Sequence, residues 1–136
     1  MSTVTFILGL CGSGKSHFAR QMMQVRVFDE SFFGEKQQEL KTALQSGENC
    51  AVVEIAFCEA EKRWEIEKEL RDVVRSLRIN WVCMEKDLEK ANQNCRRERK
   101  DKVNYDPEAH VRENKKYNEV YSYPEGAIII KMWPHD

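Results

Sequence analysis

The sequence predicts an α/β fold, in which a parallel sheet of five strands carries helices on both faces. Two observations favour this class. Apolar, strand-like runs alternate with helical segments along the whole chain, and most connections are long enough for right-handed crossovers. The length of 136 residues suits one domain, and no repeat, low-complexity tract or linker divides it. We therefore expect a single domain over residues 1–136.

The first half of the chain contains three predicted strands and two predicted helices. In chain order these are strand 4–8, helix 17–24, strand 25–29, helix 35–45 and strand 50–57. The second helix has Leu40, Ala43 and Leu44 at helical spacing, and Gly47 is a natural stop just beyond it. The third strand is apolar except for Glu54, which places a carboxylate in an otherwise apolar segment.

The second half of the chain contains three predicted helices and two predicted strands. In chain order these are helix 59–78, strand 79–84, helix 86–100, helix 107–121 and strand 127–132. The helix 59–78 has apolar residues along one face and charges on the other. The helix 107–121 has a clear start, because Asp106 suits the N-cap and Pro107 suits the first helical position.

A complete match to the pattern G-x-x-x-x-G-K-[ST] occupies residues 9–16, between the first strand and the first helix. Glycines in such a loop let backbone N–H groups converge on phosphate oxygens, and the helix N-terminus adds partial positive charge. Lys15 can reach the β- and γ-phosphates, and the Ser16 hydroxyl can ligate Mg²⁺. The loop therefore predicts a nucleoside triphosphate site, with ATP and Mg²⁺ as cofactors, although ATP and GTP are not distinguished. The predicted binding residues are Gly9, Cys11, Gly12, Ser13, Gly14, Lys15, Ser16 and His17.

Composition limits the partners of the chain. The 22 basic and 23 acidic residues nearly balance, so there is no global attraction to nucleic acid, although a local basic patch stays open. The 5 cysteines lack paired metal-ligand spacing, and Cys50, Cys58 and Cys83 are interpreted as buried reduced thiols. Cys11 is interpreted as a small residue that fits the loop, with oxidation or alkylation as the alternative. Without a signal peptide or an apolar run of ~18 residues, a cytoplasmic protein without a membrane partner is expected.

Acidic residues accompany the loop at one edge of the predicted sheet. Asp29 and Glu30 follow the second strand, and Glu54 lies late in the third. Ligands of open parallel sheets bind at the carboxyl ends of the strands, where all these groups are expected.

The loop pattern, the acid that ends the second strand and the carboxylate of the third strand resemble those of small P-loop kinases. The likeness is closest to the branch with polynucleotide kinases, zeta-type toxins and AAA-domain kinases. The resemblance implies a three-layer α/β/α P-loop nucleoside triphosphate hydrolase fold with strand order 2-3-1-4-5.

By this resemblance, Asp29 is the acid that accepts the proton of the substrate hydroxyl, with Glu30 as the alternative base. The alternative interpretation is that Asp29 only caps the next helix or turn. Glu54 stands where relatives carry an aspartate near Mg²⁺, so it is the second expected metal residue after Ser16. A structural salt bridge, with Arg63 as one partner, is the competing interpretation of Glu54.

Residues 94–100 resemble the lid of these kinases, and the expected lid spans residues 92–106. In the family a lid arginine neutralises charge on the transferred phosphoryl group. Arg97 fits the motif best, and Arg96 is the second catalytic candidate; Arg96 and Arg99 share a helical face. A solvated charged face is the alternative.

The expected activity is an ATP- and Mg²⁺-dependent transfer of the γ-phosphoryl group to a hydroxyl or phosphate of a small molecule or nucleotide. Two alternatives stay open, a 5′-hydroxyl polynucleotide kinase and a nucleotide-binding module or regulatory ATPase without an acceptor. Polynucleotide kinases tend to carry an arginine soon after the substrate-site acid, whereas here no basic residue follows Asp29 until Lys36. Phe32 and Phe33 either stack on a planar acceptor or belong to the core.

Overall fold

The structure is a computed structural model that describes residues 1–29, 32–97 and 106–132. The strands are β1 Thr3–Leu8, β2 Arg26–Asp29, β3 Cys50–Val53, β4 Arg78–Met84 and β5 Ile128–Ile130. The helices are α1 Lys15–Arg20, α2 Glu35–Gln45, α3 Ala60–Val73, α4 Leu88–Arg97 and α5 Pro107–Val120, and a 3₁₀ helix spans Ile55–Cys58. Helix α2 has the predicted bounds.

The five strands form one parallel sheet in the order β2-β3-β1-β4-β5. Strand β1 is central, and its Ile7 is in register with Val53 of β3 and Val82 of β4. The carboxyl ends of these three strands therefore meet at one edge, where the glycine-rich loop, residues 9–16, leaves β1. The predicted fold class and strand order are confirmed.

The central strand separates two apolar layers. Val4, Phe6 and Leu8 pack into the larger layer, which includes apolar residues of α2 and α3, whereas Ile7 packs with Ala19 of α1. Alternate side chains of a strand point to opposite faces, and both faces of a parallel sheet are usually covered. This two-sided burial fixes β1, and with it the start of the glycine-rich loop.

Strand β3 is shorter than predicted. It ends at Val53, and the residues expected as its second half form the 3₁₀ helix. Glu54 begins that helix, because its carboxylate accepts a hydrogen bond from the backbone N–H of Ala56 at 2.9 Å. A side chain that binds nearby backbone in this way competes with the pairing of a strand. The predicted strand 50–57 is therefore wrong beyond residue 53.

Helix α3 ends at Val73, earlier than the predicted residue 78. Val74 and Leu77 are buried although they lie beyond the helix, and so they prolong the apolar pattern while the chain turns toward β4. The guanidinium of Arg71 donates to the carbonyl of Leu77 at 3.1 Å and closes this turn, in which Ser76 has a φ of 55°. Burial continued past the end of the helix, and the periodicity alone missed that end.

Helices α1 and α4 are also shorter than expected. Helix α1 ends at Arg20 instead of residue 24, where Gln24 has a φ of 60°. Helix α4 starts at Leu88, because the Asp87 carboxylate accepts the N–H of Lys90 at 3.0 Å.

None of the helices of the described residues has the length and apolar character needed to cross a membrane.

Candidate functional site

The glycine-rich loop connects β1 to α1 at the carboxyl edge of the sheet. Its chain reverses where the N–H of Ser13 donates to the carbonyl of Leu10 at 3.1 Å. Gly14 is the N-cap of α1 and has no side chain with which to cap the helix. The first backbone N–H groups of α1, from Lys15 onward, therefore lie where the loop ends. Such groups have no acceptor within the helix and can bind an anion.

Two of the loop glycines are required by close packing. A Cβ atom built on Gly9 would lie 2.8 Å from the Cβ of Met84 on β4. One built on Gly12, whose φ is 84°, would lie 2.4 Å from the carbonyl oxygen of Ala91 on α4. Neither distance is accessible to a real side chain, so these positions allow the loop to lie directly against β4 and α4.

The Lys15 side chain folds back over the loop. Its Nζ donates to the carbonyl oxygens of Gly9 at 2.8 Å and Leu10 at 3.0 Å. Ser16 follows as the second residue of α1 and is partly buried, and His17 is exposed with a ring nitrogen 3.0 Å from the amide nitrogen of Gln21. The positive charge and the hydroxyl expected at a triphosphate site therefore lie on the loop and on the first turn that follows it.

Ser13 carries a polar group that the protein itself leaves unsatisfied. Its side chain is 1% exposed, and its Oγ is the one buried side-chain nitrogen or oxygen without a hydrogen-bond partner in residues 1–29, 32–97 and 106–132. Leaving such a group unpaired costs about 1–3 kcal/mol, so an orphaned hydroxyl is uncommon in a folded core. The donor-rich loop and this hydroxyl together fit an anionic phosphate group.

Two buried asparagines, on α4 and α5, form hydrogen bonds with the backbone of the loop, and the sequence patterns predicted neither. Asn114 of α5 accepts the N–H of Cys11 at 2.7 Å through Oδ1 and donates to the carbonyl of Cys11 at 2.9 Å through Nδ2. Asn94 of α4 donates to the carbonyl of Gly12 at 2.9 Å. Both side chains are at most 2% exposed. The only sequence signal was a polar residue inside an amphipathic helix, which is common on solvated faces.

Asp29 and Glu54 lie at the same edge as the loop. Asp29 ends β2 and pairs in register with Val53, the residue before Glu54. The N–H of Glu54 donates to the carbonyl of Ile7 on β1 at 3.3 Å, so this acid is adjacent to the strand that leads into the loop. The structure thus brings both predicted acids to the carboxyl edge; Glu30, the alternative to Asp29, lies outside the described residues.

The competing interpretation of Glu54 was a structural salt bridge with Arg63 as one partner, and the Arg63 guanidinium has other partners. Arg63 is buried and donates to the carbonyls of Phe57 at 2.7 Å and Cys58 at 3.0 Å and to the hydroxyl of Ser122 at 2.8 Å. Burial lowers its pKa from the ordinary arginine value. Arg63 therefore ties the 3₁₀ helix to the chain after α5.

The predicted lid arginines lie on the exposed side of α4. Arg96 forms a two-pronged ion pair with Glu108 of α5, with distances of 2.9 and 3.2 Å, and Arg97 is exposed at the end of the helix. The hydrogen bonds from Arg96 lower the pKa of the Glu108 carboxyl. The opposite face of α4, with Asn94, contacts the loop instead. The rest of the expected lid, residues 98–105 with Arg99, lies outside the described residues.

The two phenylalanines after β2 have different environments. Phe32 is fully buried against Phe57, with ring centroids 5.9 Å apart, and it belongs to the core. Phe33 is 49% exposed. Of the two, only Phe33 presents an accessible ring.

Comparison with known proteins supports the fold. No protein-family model and no curated protein matches the sequence. A gluconokinase from Sinorhizobium meliloti is similar in structure, with a TM-score of 0.62 and 12% identity over 94% of this chain and 81% of that chain. An uncharacterized protein from Eubacterium ventriosum aligns with a TM-score of 0.49 and 16% identity over 96% of this chain and 88% of that chain. The first likeness shows a P-loop kinase-like fold; the narrower branch expected from the motifs stays a prediction.

Proposed function

We propose that this protein is an ATP- and Mg²⁺-dependent phosphotransferase that moves the γ-phosphoryl group to a hydroxyl or phosphate of a small molecule or nucleotide. One observation carries the proposal. A complete G-x-x-x-x-G-K-[ST] loop joins β1 to α1 at the carboxyl edge of a P-loop kinase-like sheet, with Lys15 held over it and two acids beside it.

The loop residues fit the phosphates of the donor. Backbone N–H groups at the start of α1 and the Lys15 ammonium supply donors and positive charge, and the Ser13 hydroxyl needs a partner. Ser16 would offer its hydroxyl to the metal ion. When bound, ATP and Mg²⁺ supply the transferable phosphoryl group and neutralise its charge.

Asp29 is the proposed base for the acceptor. It lies at the end of β2, where its partly buried carboxylate can receive a proton from an acceptor hydroxyl. Its backbone carbonyl accepts a hydrogen bond from Lys36 at 2.6 Å, which fixes the chain at this point. We further propose that residues 1–136 form a single domain and that residues 92–106 act as its lid. Arg96 and Arg97 would be the cations of this lid.

A second candidate is a nucleotide-binding module or regulatory ATPase without an acceptor, and two observations favour it. The Glu54 carboxylate already caps the 3₁₀ helix, and Arg96 is already paired with Glu108. Groups with structural partners need no catalytic role to explain their positions.

Transfer of labelled phosphate from γ-³²P-ATP separates these candidates. The acceptor panel should contain metabolites, nucleosides, nucleotides and 5′-hydroxyl oligonucleotides, and Asp29→Asn should be compared with Asp72→Asn, which changes an exposed aspartate of α3. We expect Asp29→Asn to slow acceptor labelling by about 10²–10⁴-fold, because the base is lost, while binding of an ATP analogue persists. Equal labelling by both variants would show that Asp29 is not the base, whereas hydrolysis that no acceptor accelerates, together with no labelled acceptor, would support the binding module instead.

A further inference from the structure

Three chemically different metal ligands meet beside the glycine-rich loop. The Cys11 thiol, a ring nitrogen of His110 and a carboxylate oxygen of Glu113 all lie within 4.8 Å of one another. Cys11 comes from the loop, and the other two lie three residues apart on α5, which places them on one helical face. No spacing in the sequence marks this cluster, because the cysteine is about a hundred residues from its partners.

The separation of two of these ligands already suits a metal ion. The Cys11 Sγ and the Glu113 Oε1 are 3.3 Å apart. Zinc–sulfur and zinc–oxygen bonds of about 2.3 and 2.0 Å at a tetrahedral angle place these two atoms about 3.5 Å apart. The thiol and the carboxylate therefore need only small side-chain rotations to share one ion.

The backbone around the cluster is also held in place. Asn114, the neighbour of Glu113, binds both the N–H and the carbonyl of Cys11, and it is fully buried. One turn of α5 thus supplies both contacts: Asn114 binds the backbone of Cys11, and Glu113 lies beside its thiol. Because the backbone of Cys11 is held against α5 before binding, less conformational freedom is lost when an ion arrives.

We propose that Cys11, His110 and Glu113 form a binding site for a borderline-soft divalent ion, zinc above all, with water as the fourth ligand. Sulfur and imidazole favour zinc over magnesium, so this site is chemically distinct from the hydroxyl of Ser16. On binding, the Cys11 S–H bond breaks, its proton goes to solvent, and a metal–sulfur bond forms. Burial raises the pKa of Cys11 to about 12, so the ion displaces a proton that the thiol otherwise keeps.

Such an ion would join the glycine-rich loop to α5. The link would act in addition to the hydrogen bonds of Asn114, and it would stabilise the native chain in proportion to the logarithm of free ion over Kd. This inference does not depend on the proposed kinase activity.

Cobalt titration of the full reduced chain tests the site, because Co²⁺ adopts similar geometry and a thiolate ligand produces a charge-transfer absorption band. We expect one Co²⁺ per chain, displaced by Zn²⁺ and not by Mg²⁺. Cys11→Ser should abolish the band, and His110→Ala and Glu113→Gln should each weaken binding roughly tenfold or more. The matched control is Glu119→Gln, which changes an exposed carboxylate farther along the same helix and should bind as the unmodified protein does.

A thermal-shift measurement with Zn²⁺ adds a readout that needs no spectroscopic band. The Tm of the unmodified protein should rise, and that of Cys11→Ser should not. If Cys11→Ser fails to fold, His110→Ala and Glu113→Gln carry the test, because both side chains are at least partly exposed. An unchanged cobalt band in Cys11→Ser, equal weakening by Glu119→Gln, or no uptake of Zn²⁺ at micromolar concentration overturns the proposal.

Discussion

The carboxamide of Asn114 pairs with both backbone groups of Cys11, at 2.7 Å to the N–H and 2.9 Å to the carbonyl. The two residues are 103 positions apart in sequence, and the asparagine is fully buried. Because a carboxamide is both donor and acceptor, no other uncharged side chain of the same length forms this pair of bonds. Helix α5 therefore sets the backbone of the loop that we propose to bind triphosphate.

Replacing Asn114 by aspartate should destabilise the protein and weaken nucleotide binding. A carboxylate oxygen would face the carbonyl of Cys11, so one hydrogen bond is lost and two acceptors confront each other. We expect a loss of about 1–3 kcal/mol in the free energy of unfolding and a higher Kd for an ATP analogue. Urea denaturation and calorimetric titration measure these, with Asn118→Asp on the same helix as the control. Equal effects of the two substitutions would remove the special role of Asn114.

Gly12→Ala should be far more damaging than Gly47→Ala. Both glycines have a positive φ, 84° and 88°, so both substitutions carry backbone strain of about 1–2 kcal/mol. Only at Gly12 would the new Cβ meet another atom, the Ala91 carbonyl oxygen at 2.4 Å, whereas nothing lies within 4 Å at Gly47. Denaturant unfolding of the two variants isolates the cost of the clash, and similar losses would mean that α4 moves away from the loop.

Lys15→Ala should remove ATP use without a comparable loss of stability. The Nζ of Lys15 lies on two loop carbonyls, where it can turn to a phosphate of higher negative charge. We expect phosphoryl transfer or hydrolysis to fall by about a hundredfold or more. Lys68→Ala, an exposed change on α3, is the control. Unaltered rates of both transfer and hydrolysis in Lys15→Ala would contradict a triphosphate site at this loop.

Glu54→Gln separates the capping role of this residue from its proposed metal role. The glutamine oxygen can still accept the Ala56 N–H, so the free energy of unfolding should change by less than about 0.5 kcal/mol. The lost negative charge should raise the Mg²⁺ concentration needed for half-maximal activity. If stability and magnesium dependence are both unchanged, Glu54 acts only as a cap.

The ion pair between Arg96 and Glu108 should be detectable as a pH-dependent link between α4 and α5. Hydrogen bonds from Arg96 lower the pKa of the Glu108 carboxyl, so the pairing contributes above the ordinary carboxyl pKa and is lost as pH falls through the lowered value. An NMR titration should therefore find a higher Glu108 pKa in Arg96→Ala, and the difference should shrink at high salt because both side chains are more than half exposed. An identical Glu108 pKa in both proteins would show that the pair does not form in solution.

Helices and strands were predicted correctly where both their apolar spacing and their end signals lie within the segment itself or directly beside it. Helix α2 has its predicted bounds because Glu35–Gln45 combines apolar spacing with a glycine just beyond it. Strand β3 and helix α3 were predicted too long, since the Glu54 cap and the buried Val74 depend on neighbours that a linear pattern does not include. Apolar periodicity reports burial, and burial continues where a helix or strand has already ended.

Two features follow from the residues alone, the α/β class and the position of the glycine-rich loop between β1 and α1, whereas the strand order was implied by the resemblance to small P-loop kinases. The class depends on hydrophobic periodicity and the loop on a short contiguous motif, and the chain carries both without reference to distant residues. Three contacts are visible only in the folded chain: Asn94 and Asn114 hold the loop, Arg96 pairs with Glu108, and His110 and Glu113 lie beside Cys11. The packing of α4 and α5 over the carboxyl edge of the sheet brings those residues together, and no local pattern encodes that packing.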